Sequence, residues 1–91
     1  MPIDQTRIDY LHLLLVSDAA GLTASEAPKF FKEHVSRDAA AHALQRLVKK
    51  RCAWRKKDGL EWRYFITLNG ITKLAYLRKK QKQQNLEKKK S

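Results

Sequence analysis

The sequence has 91 residues, enough for one small domain, and its 43% share of hydrophobic residues predicts a globular fold. Its 20 lysines and arginines outnumber its 9 acidic residues, and the net charge of +11 favours a polyanionic partner, nucleic acid first and an anionic membrane surface second. One cysteine excludes an intrachain disulfide or a cysteine cluster for a metal, and no apolar run reaches the roughly 18 residues of a membrane span. We therefore expect a soluble, intracellular, cytoplasmic protein with no membrane partner.

The charge is distributed unevenly along the chain. Residues 1–36 carry three basic and five acidic side chains, a net charge of −2. Residues 37–91 carry 17 basic and four acidic side chains, a net charge of +13. We expect the first part to build the fold and the second part to bind the polyanion.

The first predicted helix begins after Asp4, a plausible N-cap, and ends at Gly21. Its apolar run from Leu11 to Val16, broken only by His12, is longer than one buried face requires. The helix is therefore either surrounded by core or shares in a dimer interface. The residues at helical spacing are Ile8, Leu11, Leu14 and Leu15.

The next segment predicts a short helix of about two turns. The sequence of residues 23–26, Thr-Ala-Ser-Glu, fits a capping box, and Ser25 is an equally good cap because it places Pro28 inside the first turn. The helix is expected to end near Phe31 or Lys32. Three large apolar residues are expected to pack under the helix that follows: Phe30, Phe31 and Val35.

A third helix is predicted from about Arg37 to Arg51, with Ser36 as its N-cap and an inward stripe of Ala40, Ala43, Leu44, Leu47 and Val48. Its opposite side is suited to reading bases. Arginine can form two hydrogen bonds with guanine, glutamine can do so with adenine, and alanine can contact a thymine methyl group. The alternative is an ordinary solvated helix face. The predicted base-reading residues are Arg37, Ala41, His42, Gln45 and Arg46.

Two aromatic-rich runs separated by Asp58-Gly59 predict a β-hairpin with those two residues as its loop. In that register Trp54 faces Arg63 and Trp62 faces Arg55, which predicts two cation–π pairs. The basic residues of the hairpin either contact phosphate or only keep it soluble. The predicted phosphate-binding residues are Ser36, Lys49, Arg55, Lys56, Lys57 and Arg63.

Thr67 is the expected N-cap of a last helix with an apolar stripe of Leu68, Ile71, Leu74, Ala75 and Leu77. After Leu77 the apolar pattern fades into a basic segment, so we expect a domain of residues 1–77 and a basic extension of residues 78–91. This extension is either helical or a mobile tail, and it adds nonspecific electrostatic affinity.

This order of elements, mainly α with a small antiparallel hairpin (α+β), resembles the winged helix-turn-helix domain of compact MarR-like and PadR-like transcription regulators. The matching pieces are residues 22–47, the phrase LQRLVKKR at residues 44–51 before a strand, and RYFITLNG at residues 63–70. The resemblance implies a DNA-binding transcription regulator with helix 37–51 in the major groove and the wing beside the backbone. It also implies a homodimer through helix 1, the C-terminal helix or both. Because the protein would bind DNA, we expect it to be nucleoid-associated.

Other functions are weighed against this one. His12, His34 and His42 are scattered and have no acidic pair or metal-ligand spacing near them, so we expect neither an enzyme nor a cofactor. Cys52 is either a small core residue or, with basic neighbours, a redox sensor. A structural RNA-binding protein is the main alternative, favoured if Trp54 or Trp62 is exposed, whereas burial of both favours duplex DNA. A protein-interaction module would not require so high a positive charge.

Overall fold

The computed structural model describes the backbone of residues 5–90 and the side chains of residues 5–83. Helices and a small antiparallel sheet confirm the predicted fold class. The predicted cap at Asp4 lies outside the described residues. The elements are helices α1 (Gln5–Ser17), α2 (Arg37–Lys49) and α3 (Leu68–Lys90), strands β1 (Leu22–Thr23), β2 (Ala53–Asp58) and β3 (Glu61–Ile66), and two 3-10 turns, Asp18–Ala20 and Ala27–Phe30.

Helix α1 lies at the centre of the fold and packs against α2, α3 and β3. Leu11 and Leu14 are fully buried, whereas Val16 is exposed. The core therefore accounts for much, but not all, of the long apolar run in this helix. Residues of the other elements complete the core: Leu22, Ala27, Ala40, Leu44, Leu47, Tyr64, Leu74 and Leu77.

The sheet contains a strand that the sequence did not indicate. Strand β1 pairs antiparallel with β3, Leu22 opposite Tyr64 and Thr23 opposite Arg63, so the strand order is β1-β3-β2. Two residues are too few to show an alternating pattern, and both are buried. This pairing ties the hairpin to the N-terminal part of the chain.

The predicted two-turn helix after Thr23 is wrong, because the structure forms only a 3-10 turn. The capping box itself is present: the Thr23 backbone N–H donates to the Glu26 carboxylate at 3.0 Å, and the Glu26 N–H donates to the Thr23 hydroxyl at 3.2 Å. Pro28 has no N–H to donate to an α-helical hydrogen bond. The backbone of this segment instead forms hydrogen bonds between residues three apart, as in a 3-10 helix. Phe31 packs on Tyr10 with 5.2 Å between ring centres, but Phe30 is exposed, contrary to expectation.

Helix α2 begins as predicted, because the Ser36 hydroxyl accepts a hydrogen bond from the Ala39 N–H at 3.1 Å. It ends at Lys49, two residues before the predicted end. Arg51 adopts a left-handed conformation with φ of 61°, and the Cys52 N–H donates to the Leu47 carbonyl at 2.9 Å. These hydrogen bonds form a Schellman motif at the C-terminus of the helix. Arg51 occupies its left-handed position, which is usually taken by glycine.

The first residues of α3 form hydrogen bonds with the segment that ends α2, and we call this contact the clamp. The Thr67 hydroxyl caps the helix by accepting from the Gly70 N–H at 3.0 Å, as predicted, and donates to the Arg51 carbonyl at 2.7 Å. The Thr67 N–H donates to the Cys52 carbonyl at 3.1 Å. Gly70 is buried against that same carbonyl. The end of α2, the start of β2 and the start of α3 therefore meet at one point.

The predicted apolar stripe of α3 is partly wrong. Leu74 and Leu77 are buried, but Leu68 is 79% exposed and Ile71 and Ala75 are exposed as well. The helix is oriented by the contact at Gly70, so the inward positions are those spaced four and seven residues after it. A short apolar strip of α3 is left facing outward.

The predicted hairpin loop is wrong by one residue, and each cross-strand partner is therefore shifted by two residues. Asp58 pairs with Glu61, Lys56 with Arg63 and Trp54 with Phe65, so the loop consists of Gly59 and Leu60. Gly59 has φ of 65°, the sign that a type II′ turn requires at its first loop position. The glycine takes the first loop position, so the aspartate stays in the strand.

The clamp at Gly70 can be tested by substitution. A glycine-to-alanine change inside a helix ordinarily stabilises by about 0.5–1 kcal/mol. At Gly70, however, a Cβ would overlap the Cys52 carbonyl oxygen and lie 2.8 Å from Ile66 Cγ1. We expect Gly70→Ala to lower the free energy of unfolding by about 1–3 kcal/mol in urea titrations.

A control in the same helix distinguishes the effect of this overlap on stability from the effect of the different helix propensities of glycine and alanine. Ala75→Gly, at an exposed position of α3, should cost about 1 kcal/mol. A Gly70→Ala variant as stable as the natural chain would contradict the close approach.

Candidate nucleic-acid interface

The outward face of α2 is polar and exposed. His42, Gln45 and Lys49 follow one another at spacings of three and four residues, so they lie on one side of the helix. Asp38 shares this face near the helix start, where its charge suits the helix dipole but opposes a polyanion. The centre and the C-terminal end of the face are therefore the parts that suit a polyanion.

One edge of this face borders the hairpin. Arg37, Ala41 and Gln45 line a cleft of about 290 Å³ together with Leu60 and Trp62 of the hairpin. The helix and the hairpin therefore share one continuous surface.

The other edge of α2 borders α1. Arg46 lines a separate cleft of about 170 Å³ together with Arg7 and Lys50 and with the hydroxyl-bearing Thr6 and Tyr10. Of the five predicted base-reading residues, three thus lie at the hairpin edge of the helix, Arg46 lies at the α1 edge, and His42 lines neither cleft. Arg7 and Lys50 were not predicted as site residues. The sequence signal for Arg7 was its position as the only basic residue before Lys29.

The cations of the hairpin gather around Trp62. The Arg55 guanidinium lies 4.3 Å from the centre of the Trp62 ring, which confirms that predicted cation–π pair, and the Lys57 ammonium lies 5.0 Å from it. The predicted pair of Trp54 with Arg63 is wrong. Because of the register, Trp54 stacks on Phe65 instead, with 4.4 Å between ring centres.

Arg63 holds the hairpin to the rest of the fold. Its guanidinium donates to Asp58 at 2.8 Å, to the Ala20 carbonyl at 3.1 Å and to Glu26 at 3.3 Å. The bond to Asp58 and the nearby Glu26 raise the pKa of Arg63. Phosphate binding by Arg63 stays a prediction, but these bonds already occupy much of its donor capacity.

A second ion pair joins the hairpin to α2. The Arg37 guanidinium lies 3.4 Å from the Glu61 carboxylate, which also accepts a hydrogen bond from the Ser25 hydroxyl. The Arg37 side chain remains largely exposed. The ion pair therefore positions the start of α2 relative to the hairpin and leaves part of the guanidinium accessible.

Solved structures with the same arrangement identify the fold. A MarR transcriptional regulator from Methanosarcina mazei Go1 matches with a TM-score of 0.68 and 23% identity, over 85% of this chain and 50% of that one. MepR, a transcription regulator of the Staphylococcus aureus multidrug efflux pump MepA, matches with a TM-score of 0.72 and 19% identity, over 96% of this chain and 65% of that one. The fold is a winged helix-turn-helix.

This confirms the predicted resemblance at the level of fold. A structure of MepR in complex with DNA also matches, with a TM-score of 0.67 and 20% identity, over 97% of this chain and 74% of that one. The chain spans half the length of the Methanosarcina regulator. The sequence itself matches no protein-family model and no curated protein. In this fold, α2 occupies the position that is called the recognition helix, and the hairpin β2–β3 occupies the position that is called the wing; both names refer to position in the fold.

Both tryptophans of the wing are accessible. Trp54 is 48% exposed although Phe65 stacks on its ring, and Trp62 is 37% exposed although Arg55 and Lys57 lie against its ring. Burial of both was the feature expected to favour duplex DNA over RNA. By that criterion the exposure of the two tryptophans favours RNA or single strands over duplex DNA.

Two further findings concern other kinds of site. Among side chains 5–83, no group of three histidine, cysteine, aspartate or glutamate residues is placed to hold a metal ion. No helix within the described residues is long and apolar enough to cross a membrane.

The bonds that anchor the wing predict a pH dependence of stability. The hydrogen bond from the Thr23 backbone, together with the Thr23 hydroxyl and nearby Arg63, lowers the pKa of Glu26. A lowered folded-state pKa gives stability that is present above the unfolded value of about 4.3 and lost as the pH falls through the folded value. We expect Glu26→Gln to lose stability at neutral pH and to show a smaller further loss on acidification, measured by urea unfolding between pH 7 and pH 3.

The matched control is Glu33→Gln, which removes the same charge at an exposed position. It should leave the acid dependence of the natural chain unchanged. Equal pH profiles for the natural chain and Glu26→Gln would contradict the assigned role of Glu26.

Proposed function

We propose that this protein is a sequence-specific double-stranded DNA-binding protein that acts as a small homodimeric transcription regulator inside the cell. The observation that carries the proposal is the shared surface of the recognition helix and the wing, where Gln45 and Arg37 face the same cleft as the cation-bearing wing. MepR, which shares the fold, has been crystallised with DNA. The net charge of +13 in residues 37–91 supports a polyanionic partner.

In this proposal the recognition helix lies in the major groove. His42 and Gln45 occupy the centre of its exposed face, and Arg37 and Ala41 read bases on the wing side. Arg46 reads bases from the opposite edge, where Arg7 and Lys50 are close enough to line the same cleft. That cleft can also seat a backbone phosphate beside the bases.

Phosphate contacts on the two sides of the helix would fix its position. Ser36 and Lys49 lie at the two ends of the recognition helix, and Arg55, Lys56 and Lys57 lie on the wing. Arg63 acts at the wing's base, where it holds the structure that presents these residues. Residues 78–91 add basic charge and nonspecific affinity.

Dimerisation is proposed through α1 and α3. Both helices carry apolar side chains that the described core does not cover, Val16 on α1 and Leu68 and Ile71 on α3. A two-fold dimer would present two recognition helices about 34–36 Å apart, one helical turn of DNA.

The alternative is a structural RNA-binding protein. The specific observation in its favour is the exposure of Trp54 and Trp62, because single-stranded bases can stack on accessible aromatic rings. In that case the wing, rather than the recognition helix, would make the main contacts.

Selection from random DNA duplexes tests the proposal. We would select at about 150 mM salt, measure the mass of the bound complex and add a matched RNA competitor. We expect an inverted repeat bound by two chains and poorly displaced by RNA. Equal competition by RNA with no recovered motif would replace the proposal with the RNA-binding alternative.

Two substitutions separate base reading from phosphate binding. Gln45→Ala should relax the selected sequence at one position and cost about 1–3 kcal/mol on the selected site only. Lys56→Ala should weaken all duplexes alike and lower the slope of log affinity against log salt by about one unit. Fluorescence anisotropy on the selected and a scrambled duplex measures both.

Lys29→Ala removes the same charge as Lys56→Ala at an exposed position outside the proposed interface. It should change neither the affinity nor the salt slope. If Gln45→Ala weakens both duplexes equally, Gln45 is not a base-reading residue.

A further inference from the structure

The tip of the wing carries an exposed apolar side chain. Leu60 is 95% exposed, the highest value among the large hydrophobic residues of the described chain. It occupies the second loop position, beyond the last strand pair of Asp58 and Glu61. A fully exposed leucine contributes nothing to the core, so its side chain is accessible to a partner.

The charges around the tip are arranged to leave it cationic. Asp58 is paired with Arg63 at 2.8 Å, and Glu61 is paired with Arg37 at 3.4 Å. Both carboxylates that flank the loop therefore have a guanidinium partner within the fold, and Arg63 shares its charge between Asp58 and Glu26. Lys56 and Lys57 are exposed and precede the turn, so they give the tip a positive electrostatic potential.

The tip is also narrow and well supported. Strands β2 and β3 pair over six residues each, up to the residue next to the loop. A Cβ at Gly59 would meet nothing within 4 Å, so internal packing does not require the glycine there. Its positive φ and lack of side chain produce a slim turn from which Leu60 projects.

We propose that Leu60 is a wedge that enters the minor groove and partly unstacks one base step, while Lys56 and Lys57 hold the phosphates on either side. Apolar side chains that enter the minor groove in this way kink the duplex. Leu60 lines the same cleft as Arg37 and Gln45, so the wing and the recognition helix would engage adjacent grooves of one duplex. This inference rests on the proposed function.

An apolar tip between lysines also suits insertion into an anionic bilayer. The duplex is favoured because Leu60 faces the polar surface of the recognition helix across a shared cleft, and a bilayer would leave that polar surface unused. The membrane therefore enters the experiment as a competing outcome.

The wedge is tested on the duplex recovered by selection, with the full chain. A 2-aminopurine base is placed at each step of the flanking minor groove in turn, and the duplex ends are labelled for energy transfer. We expect one step in each half-site to brighten on binding and the duplex to bend by at least about 20°. Leu60→Ser should abolish both signals and weaken binding by on the order of tenfold, because the unstacked step loses its apolar contact.

Two variants make the readout specific. Leu60→Met keeps an apolar side chain of similar size and should retain the bend. Phe30→Ser removes another exposed apolar side chain, one outside the interface, and should behave as the natural chain. Unfolding curves for all variants establish that loss of the bend is not loss of the fold.

The outcomes distinguish the wedge from the proposed function. Tight, motif-specific binding with no bend, or a bend that Leu60→Ser retains, overturns the wedge alone. Absence of duplex binding by the natural chain overturns both. Binding to phosphatidylserine vesicles that is lost in Leu60→Ser, without any duplex bend, assigns the tip to a membrane surface and also overturns the wedge.

Discussion

The rest of the structure depends on the clamp between the end of the recognition helix and the start of α3. Thr67 caps α3 and, through its other bonds, holds the backbone of Arg51 and Cys52, while Gly70 allows the two segments to touch. This contact orients α3 and sets the direction in which β2 leaves the recognition helix. The position of the wing relative to the helix follows from it, because β2 is the first strand of the wing.

A second constraint acts at the opposite side of the wing. Arg63 joins Glu26 and Asp58, and Arg37 joins Glu61, so carboxylates from three parts of the chain meet guanidinium groups around β3. These pairs are partly exposed, and each contributes little stability by itself. Their larger effect is geometric, since they fix the wing against β1 and the start of the recognition helix. They also remove negative charge from the surface proposed to meet DNA.

Local sequence signals predicted much of this fold. Ser36 and Thr67 were correctly placed as caps, because a capping bond joins residues only three apart. The stripe of the recognition helix was also correct, with Ala40, Leu44 and Leu47 buried. The wing was found, but its loop was placed one residue too early and its strand partners were wrong by two residues, since Asp58-Gly59 and Gly59-Leu60 are both possible loops by residue type alone. Strand β1 was missed because its partner is about forty residues away in the sequence.

The sequence by itself determined the order of the three long helices and the hairpin, the caps at Ser36 and Thr67, and the concentration of positive charge after residue 36, because these depend on neighbouring residues and on composition. The tertiary structure alone decided which face of α3 is buried, how the wing pairs with β1, and that Arg63 and Arg37 form ion pairs within the fold. The reason is physical: packing at Gly70 rotates α3 so that Leu68 faces outward, and long-range ion pairs commit Arg63. The division of four of the predicted base-reading residues between two clefts, with Arg46 on the α1 side, likewise follows from how the helices meet.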